Sequence, residues 1–314
     1  MGIESDRESP SNTTELVDAL AETAARAGAG CAPPVLVVER ADVLVVRVGA
    51  VVVKAHSVET DAAALLSRLR LATAPRWREI LLPPLPIGDA LLTRHAGRTI
   101  TAWAYGEPVD PHDPDAAPWE AAATLLARLH TMPEPGRRDL PEAGGPARVH
   151  RAIHRLRDAG DIANQAAAAI VCRAFAALPE QTATTRTLVH GDFHLGQLVR
   201  GPCGGDPWRL IDIDDLGVGD PAWDLARPAA LFAAGILEPV TWLRFLDAYR
   251  AAGGVAVPRG ADEWTALDRP ARAVAVQAAA LAVVAAGREG RELDDLDTAL
   301  VDACRRIAMA SDRS

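Results

Sequence analysis

Oxygen-bearing side chains that could hold a metal ion are concentrated in the segment 190–215. Gln197 and Asp212 flank a stretch that is predicted to fold back on itself, and Asp192 lies in the loop before it. Carboxylate and amide oxygens are the ligands that Mg²⁺ prefers, and this ion usually completes its shell with water and substrate phosphate. The residue types therefore favour a magnesium site that acts together with a phosphorylated substrate.

A β-hairpin is predicted to bring these side chains together. Two short apolar runs, Leu198–Val199 and Leu210–Ile211, lie on either side of a segment rich in Gly and Pro, 201–207. This composition is typical of a turn between antiparallel strands. Folding at the centre of the turn would place Gln197 opposite Asp212.

The only lysine of the chain, Lys54, occupies an unusual position. The chain has 33 basic residues, and the other 32 are arginines. Lys54 lies in the β-branched run Val51–Ala55, which predicts a buried strand, and a buried ammonium group is unfavourable without an anionic partner. Lys54 is therefore a candidate for binding an anionic ligand. The alternative is a surface lysine on the edge of a sheet.

Three segments together resemble a known family. The segments His190–Gln197, Ile211–Asp212 and Gly219–Leu225 are similar to those of the aminoglycoside phosphotransferase and choline kinase-like family, which has the protein-kinase-like fold. The resemblance covers most of the chain and includes the strand of Lys54. The spacing within the first segment equals that of the protein-kinase catalytic loop, with Gln in the position of Asn.

The resemblance implies a role for each polar residue of the site. Lys54 would pair with the α- and β-phosphates of ATP or GTP. Asp212 and Gln197 would hold Mg²⁺ between the phosphates. Asp192 would accept the proton of the acceptor hydroxyl or orient that hydroxyl.

Further nucleotide contacts are implied in the first hundred residues. The backbone carbonyl of Thr93 and the amide of His95, in the hinge-like segment Leu91–Gly97, would hydrogen-bond the adenine. Glu59 and Asp61, near the start of the next helix, are the candidates for the acidic partner of the strand lysine.

The neighbouring polar residues are expected to be structural. Asp220–Pro221 is typical of a helix start, with Asp224 in the first turn of that helix. His190 and His194 are expected to brace the catalytic loop through hydrogen bonds.

The elements predict an α+β, protein-kinase-like fold with two lobes. A disordered N-terminus, 1–12, would precede a small antiparallel-sheet lobe, 13–95, and a larger, mainly helical lobe, 96–314, with the catalytic loop, the metal hairpin and the acceptor-binding helices. Helical spacing predicts helices around 13–27, 59–71, 119–130, 147–178, 223–234 and 239–252, with two more after 262. Strands are predicted at 34–40, 43–48, 51–55, 80–82 and 90–93.

Charge and composition argue against several partners. The 314 residues include 42 acidic and 33 basic side chains, which gives a net charge of −9, the wrong sign for a nucleic-acid-binding surface. We find no signal-peptide pattern and no run of about 18 apolar residues, and we therefore expect a cytoplasmic protein without membrane contact. The four cysteines form no CxxC pair and are expected to be reduced. The protein is expected to be a monomer or a dimer.

The leading hypothesis is an ATP-dependent O-phosphotransferase that moves the γ-phosphoryl group to a hydroxyl of an antibiotic, as aminoglycoside phosphotransferases do. A small hydroxylated and cationic acceptor would suit the low pI and a set of acidic residues near the C-terminus: Glu292, Asp294, Asp295, Asp297 and Asp302. A sugar or another metabolite is the alternative acceptor.

Two alternatives belong to other classes. His190, Asp192 and His194 could form the metal cluster of a hydrolase, because His and Asp at alternating positions of an extended segment point the same way. A kinase-like protein that binds nucleotide without turnover is the second alternative. Metal-dependent ATP consumption with an acceptor would distinguish the leading hypothesis from both.

Overall fold

The computed structural model describes residues 10–40, 42–132, 140–159, 164–179, 185–201 and 206–311. The chain forms two compact units, each built from two stretches of sequence. The first unit comprises Met1–Val109 and Gly196–Asp214, and the second comprises Asp110–Leu195 and Asp215–Ser314. The predicted metal hairpin is therefore part of the first unit.

A six-stranded antiparallel sheet forms the body of the first unit. Its strands follow the order β1-β2-β3-β6-β4, and β5 pairs with β6. The strands are β1 (Pro34–Arg40), β2 (Val43–Val48), β3 (Val51–Ala55), β4 (Pro84–Leu85), β5 (Thr93–His95) and β6 (Arg98–Ala104). In β2 and β3 every second residue is buried, which is the pattern of a sheet with one face on a core.

Two helices accompany this sheet. Helix α1 (Pro10–Arg26) places Leu20, which is fully buried, in one hydrophobic cluster with Val46 of β2 and Val53 of β3. Helix α2 (Ala62–Thr73) is capped by Asp61. Its side chain accepts the backbone N–H groups of Ala63 and Ala64, at 2.9 and 3.1 Å.

The second stretch of the first unit forms a small sheet. Its order is β10-β9-β7, with β7 (Glu107–Pro108), β9 (Leu198–Arg200) and β10 (Arg209–Leu210). Leu210 also joins the segment 80–82, because its amide donates to Ile80 at 2.8 Å and its carbonyl accepts from Leu82 at 2.9 Å. These bonds fix the returning stretch to the first.

The second unit is mainly helical. Helix α8 packs against four neighbours, α4, α5, α6 and α9, while α3 packs against α7. The helices are α3 (Trp119–Thr131), α4 (Gly145–Asp158), α5 (Gln165–Ala176), α6 (Ala222–Ala233), α7 (Pro239–Ala251), α8 (Trp264–Glu289) and α9 (Asp295–Ser311). A short antiparallel pair, β8 (Thr187–Val189) and β11 (Gly217–Gly219), flanks the predicted catalytic loop.

Helix α8 is the one described helix that is long and apolar enough to cross a membrane. Its apolar residues form no unbroken run of about 18, because Arg272 and Gln277 interrupt them. In the structure 61% of the apolar window of α8 is buried, in one cluster with apolar side chains of α4, α5 and α9. This burial is what the core helix of a helical unit requires.

The structure confirms the α+β fold with a sheet unit and a helical unit, and it corrects several boundaries. Residues 10–12, predicted to be disordered, begin α1, while 1–9 lie outside the described residues. The sheet extends beyond residue 95, because β6 pairs with β3. The segment 80–82 forms a bridge rather than a strand, and 147–178 contains two helices instead of one.

Candidate active site

Lys54 pairs with two carboxylates of the first unit. Its Nζ lies 2.7 Å from Asp212 Oδ1 and 2.8 Å from Asp214 Oδ2. The side chain of Lys54 is 14% exposed, whereas those of Asp212 and Asp214 are 36% and 33% exposed. The ammonium group is therefore largely enclosed, and the carboxylates beside it still reach solvent.

These pairs decide the charge states of the cluster. Burial alone would lower the pKa of Lys54, but Asp214 and Asp212 outweigh it and raise the pKa above its usual value. Burial alone would raise the pKa of Asp214, but Lys54 and His56 hold it well below its usual range. The lysine is thus cationic and Asp214 anionic at neutral pH.

The acidic partner of Lys54 was misassigned from the sequence. Asp61 caps α2, and Glu59 is exposed, with its amide bonded to Ser57. Neither carboxylate pairs with Lys54, because the hairpin segment supplies both partners. The predicted contact of Glu59 with nucleotide stays a prediction.

His56 links the pair of Lys54 and Asp214 to the neighbouring strand β6. Its side chain is buried, with Nδ1 3.0 Å from Asp214 Oδ2 and Nε2 2.8 Å from Thr101 Oγ1. Thr101 is the cross-strand partner of Lys54 in β6. His56 and Thr101 were not among the residues predicted from the sequence, although alternation along a strand places His56 on the same face as Lys54.

Gln197 and Asp212 lie beside each other, as predicted, but in a different register. Leu198 pairs with Leu210, so Gln197 stands opposite Ile211, whose amide donates to the Gln197 carbonyl at 2.9 Å. The side chains still meet, with Gln197 Nε2 3.3 Å from Asp212 Oδ2. The turn residues 202–205 lie outside the described residues.

Asp212 adopts a left-handed backbone conformation. Its φ is +58°, which costs free energy for a residue with a side chain and is most readily tolerated by Asn and Asp. The backbone turns here between β10 and the short helical turn at 213–215. A strained residue is typical of functional sites, and here the residue is the predicted metal ligand.

Asp192 belongs to the second unit and is held by two arginines. Arg148 Nη2 lies 2.8 Å from its Oδ2, and Arg227 Nη2 donates to its Oδ1 at 3.1 Å. Burial raises the pKa of Asp192, while Arg148 and Arg227 oppose the rise and Asp215 adds to it. The net direction is upward, toward the range of a general base.

A buried carboxylate, that of Asp224, holds the backbone of the loop before Asp192. Asp224 accepts the backbone N–H groups of His190 at 2.6 Å and Gly191 at 2.8 Å. His130 Nε2 lies 3.0 Å from the same carboxylate, and His130 Nδ1 lies 2.8 Å from Tyr249 Oη. Burial alone would raise the pKa of Asp224, but these partners keep it below its usual value.

This arrangement agrees with the structural role predicted for Asp224. It also shows partners of Asp224 that the sequence did not predict. The sequence placed Asp224 at a helix N-terminus, whereas the structure shows that it also fixes the peptide groups preceding Asp192. Gly191 has a φ of +84°, and a Cβ there would collide with the Asp215 carbonyl. The position of Asp192 is thus set by its backbone as well as by its arginines.

The hinge predicted at Leu91–Gly97 lies inside the first unit. Thr93 and His95 belong to β5, and the turn at Ala96 and Gly97 leads directly into β6. The chain first leaves the unit after Val109. The adenine contacts of Thr93 and His95 stay a prediction.

The structure gives no support to a hydrolase metal cluster. Within the described residues, which include His190, Asp192 and His194, no three His, Cys, Asp or Glu side chains are grouped to hold a metal ion. Both oxygens of Asp192 already contact guanidinium groups. These cations would repel a metal ion.

Three of the five acidic residues near the C-terminus, Asp294, Asp297 and Asp302, contact neighbouring arginines. Arg291 Nη1 lies 2.6 Å from Asp297 Oδ2 and 3.9 Å from Asp294 Oδ2, and Arg305 contacts Asp302. The charge available for a cationic acceptor is correspondingly reduced.

Comparison with known proteins identifies the family. The family model described as phosphotransferase enzyme family matches residues 40–267, which include Lys54, Asp192 and Asp212. The chain belongs to this family. The predicted family and enzyme class, a phosphotransferase acting on an alcohol group, are therefore confirmed. No curated protein sequence matches the chain significantly.

Solved structures share the fold at low identity. A choline/ethanolamine kinase family protein from Mesorhizobium loti is 16% identical, with a TM-score of 0.61, over 96% of this chain and 95% of that one. Spectinomycin phosphotransferase, solved with ADP and spectinomycin, is 13% identical, with a TM-score of 0.59 over 96% and 98%. Macrolide 2′-phosphotransferase from Brachybacterium faecium is 17% identical, with a TM-score of 0.54 over 93% and 98%.

Proposed function

We propose that this phosphotransferase moves the γ-phosphoryl group of ATP to a hydroxyl of a small molecule. The observation that carries the proposal is the enclosed ammonium of Lys54, 2.7 Å from Asp212. A lysine beside a carboxylate that can take a metal ion suits a nucleotide phosphate chain, whose charge both groups neutralise. GTP is the alternative donor.

The first unit would hold the donor. Asp212 and Gln197 fit Mg²⁺, because rotation of the Gln197 amide presents its oxygen next to the Asp212 carboxylate, and Asp214 offers a further oxygen nearby. When bound, Mg²⁺ would neutralise charge on the phosphates. Lys54 would exchange part of its contact with Asp212 for phosphate oxygens and would orient the phosphate chain.

The second unit would hold the acceptor. Asp192 would orient the acceptor hydroxyl and accept its proton, and a pKa raised by burial favours proton transfer at neutral pH. Asp224 would act as a positioning residue through the two amides that it accepts. Four residues separate Asp192 from Gln197 in the chain.

Antibiotics are one acceptor class for this protein. The fold neighbours include kinases named for spectinomycin, macrolides and aminoglycosides as well as choline kinases. A sugar or another hydroxylated metabolite is the second class. Asp297 and Asp302, two of the acidic residues that would suit a polycationic acceptor, are paired with arginines. A cytoplasmic location remains a prediction.

The decisive experiment is an assay of ADP release by the purified protein with ATP and Mg²⁺. The acceptor panel would contain an aminoglycoside, spectinomycin, a macrolide, choline, neutral sugars and sugar acids. We expect release that depends on one acceptor class and disappears when EDTA removes the metal. Release without acceptor dependence, or with EDTA present, would contradict the proposal.

Asp192→Asn provides the matched control for that assay. We expect a loss of about 10²- to 10⁴-fold in kcat, the usual contribution of a positioned general base. The melting temperature and ATP affinity should change little, because Asn keeps the shape of the side chain. Full turnover by this variant would remove Asp192 from the mechanism.

A further inference from the structure

The surroundings of Asp192 carry an excess of positive charge. Arg148 and Arg227 contact its two carboxylate oxygens at 2.8 and 3.1 Å. Arg148 also lies 2.7 Å from Asp215, and Arg151 lies 3.7 Å from the same carboxylate. Three guanidinium groups thus face two carboxylates.

A small pocket beside Asp192 is rich in hydrogen-bond donors. Its polar lining consists of Arg148, Asp192, Trp223, Arg227 and Gln277. Asp192 is the only acid among the described residues that line it. The free volume is about 10 Å³, which is room for a single water molecule.

Two N–H groups of this lining lack an acceptor. Arg227 Nε and Trp223 Nε1 are buried and donate to no acceptor within the described residues. Gln277 is 6% exposed and is the one polar residue among the buried residues of α8. Buried polar groups in proteins are nearly always paired. The pocket therefore lacks an acceptor group that a ligand would supply.

We propose that this pocket binds an oxyanion of the acceptor, a carboxylate or a phosphate, so that the acceptor is a small hydroxylated acid. The inference rests on the proposed function, in which Asp192 faces the acceptor hydroxyl. The planar guanidinium of Arg227 suits such a group, because its paired N–H donors match two oxygens of a carboxylate or phosphate. A polycationic acceptor would meet like charges at this position.

Binding would also change the state of Asp192. Since the pocket has room for only one water, the oxyanion must take the place that the Asp192 carboxylate now has beside Arg227. Arg227 would remain paired with an anion, and Asp192 Oδ1 would become free to accept the hydroxyl proton. Arg148 would keep Asp215 as its partner.

Matched acceptors test the charge requirement. Glucuronate, glucose and glucosamine share one sugar ring and differ in charge, and glucose 1-phosphate supplies the phosphate form. In the Mg²⁺-dependent assay of ADP release, we expect kcat/KM for glucuronate or glucose 1-phosphate to exceed that for glucose about 10-fold or more. Glucosamine should be the poorest of the four. The two anions distinguish a carboxylate from a phosphate.

Two variants and a control test whether Arg227 and Gln277 bind the anionic acceptor. Arg227→Gln should raise KM for the anionic acceptor about 10- to 100-fold while KM for ATP stays unchanged. Gln277→Leu removes the polar group from the buried face of α8 and should give a smaller increase in KM for the anionic acceptor. Arg244→Gln, whose guanidinium pairs with Glu120 on the surface, should change neither value.

The outcomes separate this inference from the proposed function. Preference for glucose or glucosamine over both anions would overturn the inference and leave the phosphotransferase function intact. If no compound is phosphorylated, calorimetric titration with glucuronate and glucose 1-phosphate decides. Binding that Arg227→Gln abolishes would support the anion pocket and count against the phosphotransferase proposal, whereas no binding to the unmodified protein would overturn the pocket.

Discussion

Lys54 receives its two counter-charges from residues 158 and 160 positions later in the chain. The sequence shows that this lysine needs an anionic partner, because it lies in a buried β-branched strand. It cannot show which carboxylate supplies the charge, since pairing over such a separation depends on the tertiary fold. The nearby Glu59 and Asp61 were the wrong candidates for this reason.

Lys54→Ala tests the donor side at the scale of one residue. Because the variant loses the cation expected to contact the phosphates, kcat/KM for ATP should fall about 10²-fold or more, as when one charged or polar stabiliser is removed from an active site. KM for the acceptor should change much less. Steady-state kinetics with each substrate varied would show the difference, and unchanged ATP kinetics would contradict the assigned role.

Gln197→Asn tests the second predicted metal ligand. Asn has a side chain shorter by one methylene, and the Gln197 amide now lies 3.3 Å from Asp212. We expect a folded and active enzyme whose Mg²⁺ requirement changes less than tenfold, because the amide oxygen donor is retained. Titration of activity against Mg²⁺ concentration checks this. A folded but inactive variant would show that the longer side chain has another role.

At the scale of elements, the sequence predicted most strands and helices but few of their connections. Runs of β-branched residues gave β1, β2 and β3 closely, since alternation and turn residues are local signals. The segment 80–82 was misassigned because Leu81 and Leu82 bond to the distant Leu210. The segment predicted as the hinge is followed by two further strands of the first unit, β6 and β7, because the pairing of β6 with β3 joins residues far apart in the chain.

Asp61→Ala tests the cap of α2. The side chain accepts two backbone N–H groups at the start of the helix, and its loss should lower the free energy of unfolding by about 0.5–2 kcal/mol. Glu59→Ala is the control, because an exposed residue outside the helix should change stability by less than about 0.5 kcal/mol. Urea denaturation of both variants checks the prediction, and equal stabilities would contradict the capping role.

At the scale of the whole molecule, stability should depend on the protonation of the buried network below the catalytic loop. Burial raises the pKa of Tyr249 above its usual value of 10.0. A raised pKa in the folded state means that the contribution of Tyr249 to stability is fully present below about pH 10 and is lost as the pH rises above it.

Tyr249→Phe isolates this contribution. The phenol lies 2.8 Å from His130 Nδ1 and accepts the Ala256 amide at 3.1 Å, so its loss should cost about 1–3 kcal/mol at pH 7. The difference in the free energy of unfolding between the two proteins should narrow above pH 10, because Tyr249 can lose its proton there and phenylalanine cannot. Urea denaturation from pH 7 to pH 11 measures this difference, and a constant value would contradict the prediction.

The discontinuous first unit has a consequence for biosynthesis. The six-stranded sheet of this unit is translated within the first 109 residues. The stretch Gly196–Asp214 leaves the ribosome much later, although it completes the unit and supplies both carboxylates to Lys54. Through this interval the nascent sheet would carry a lysine without its counter-charges, and the segment 80–82 would lack the backbone partners on Leu210. The N-terminal unit can therefore reach its final state only after two-thirds of the protein has been made.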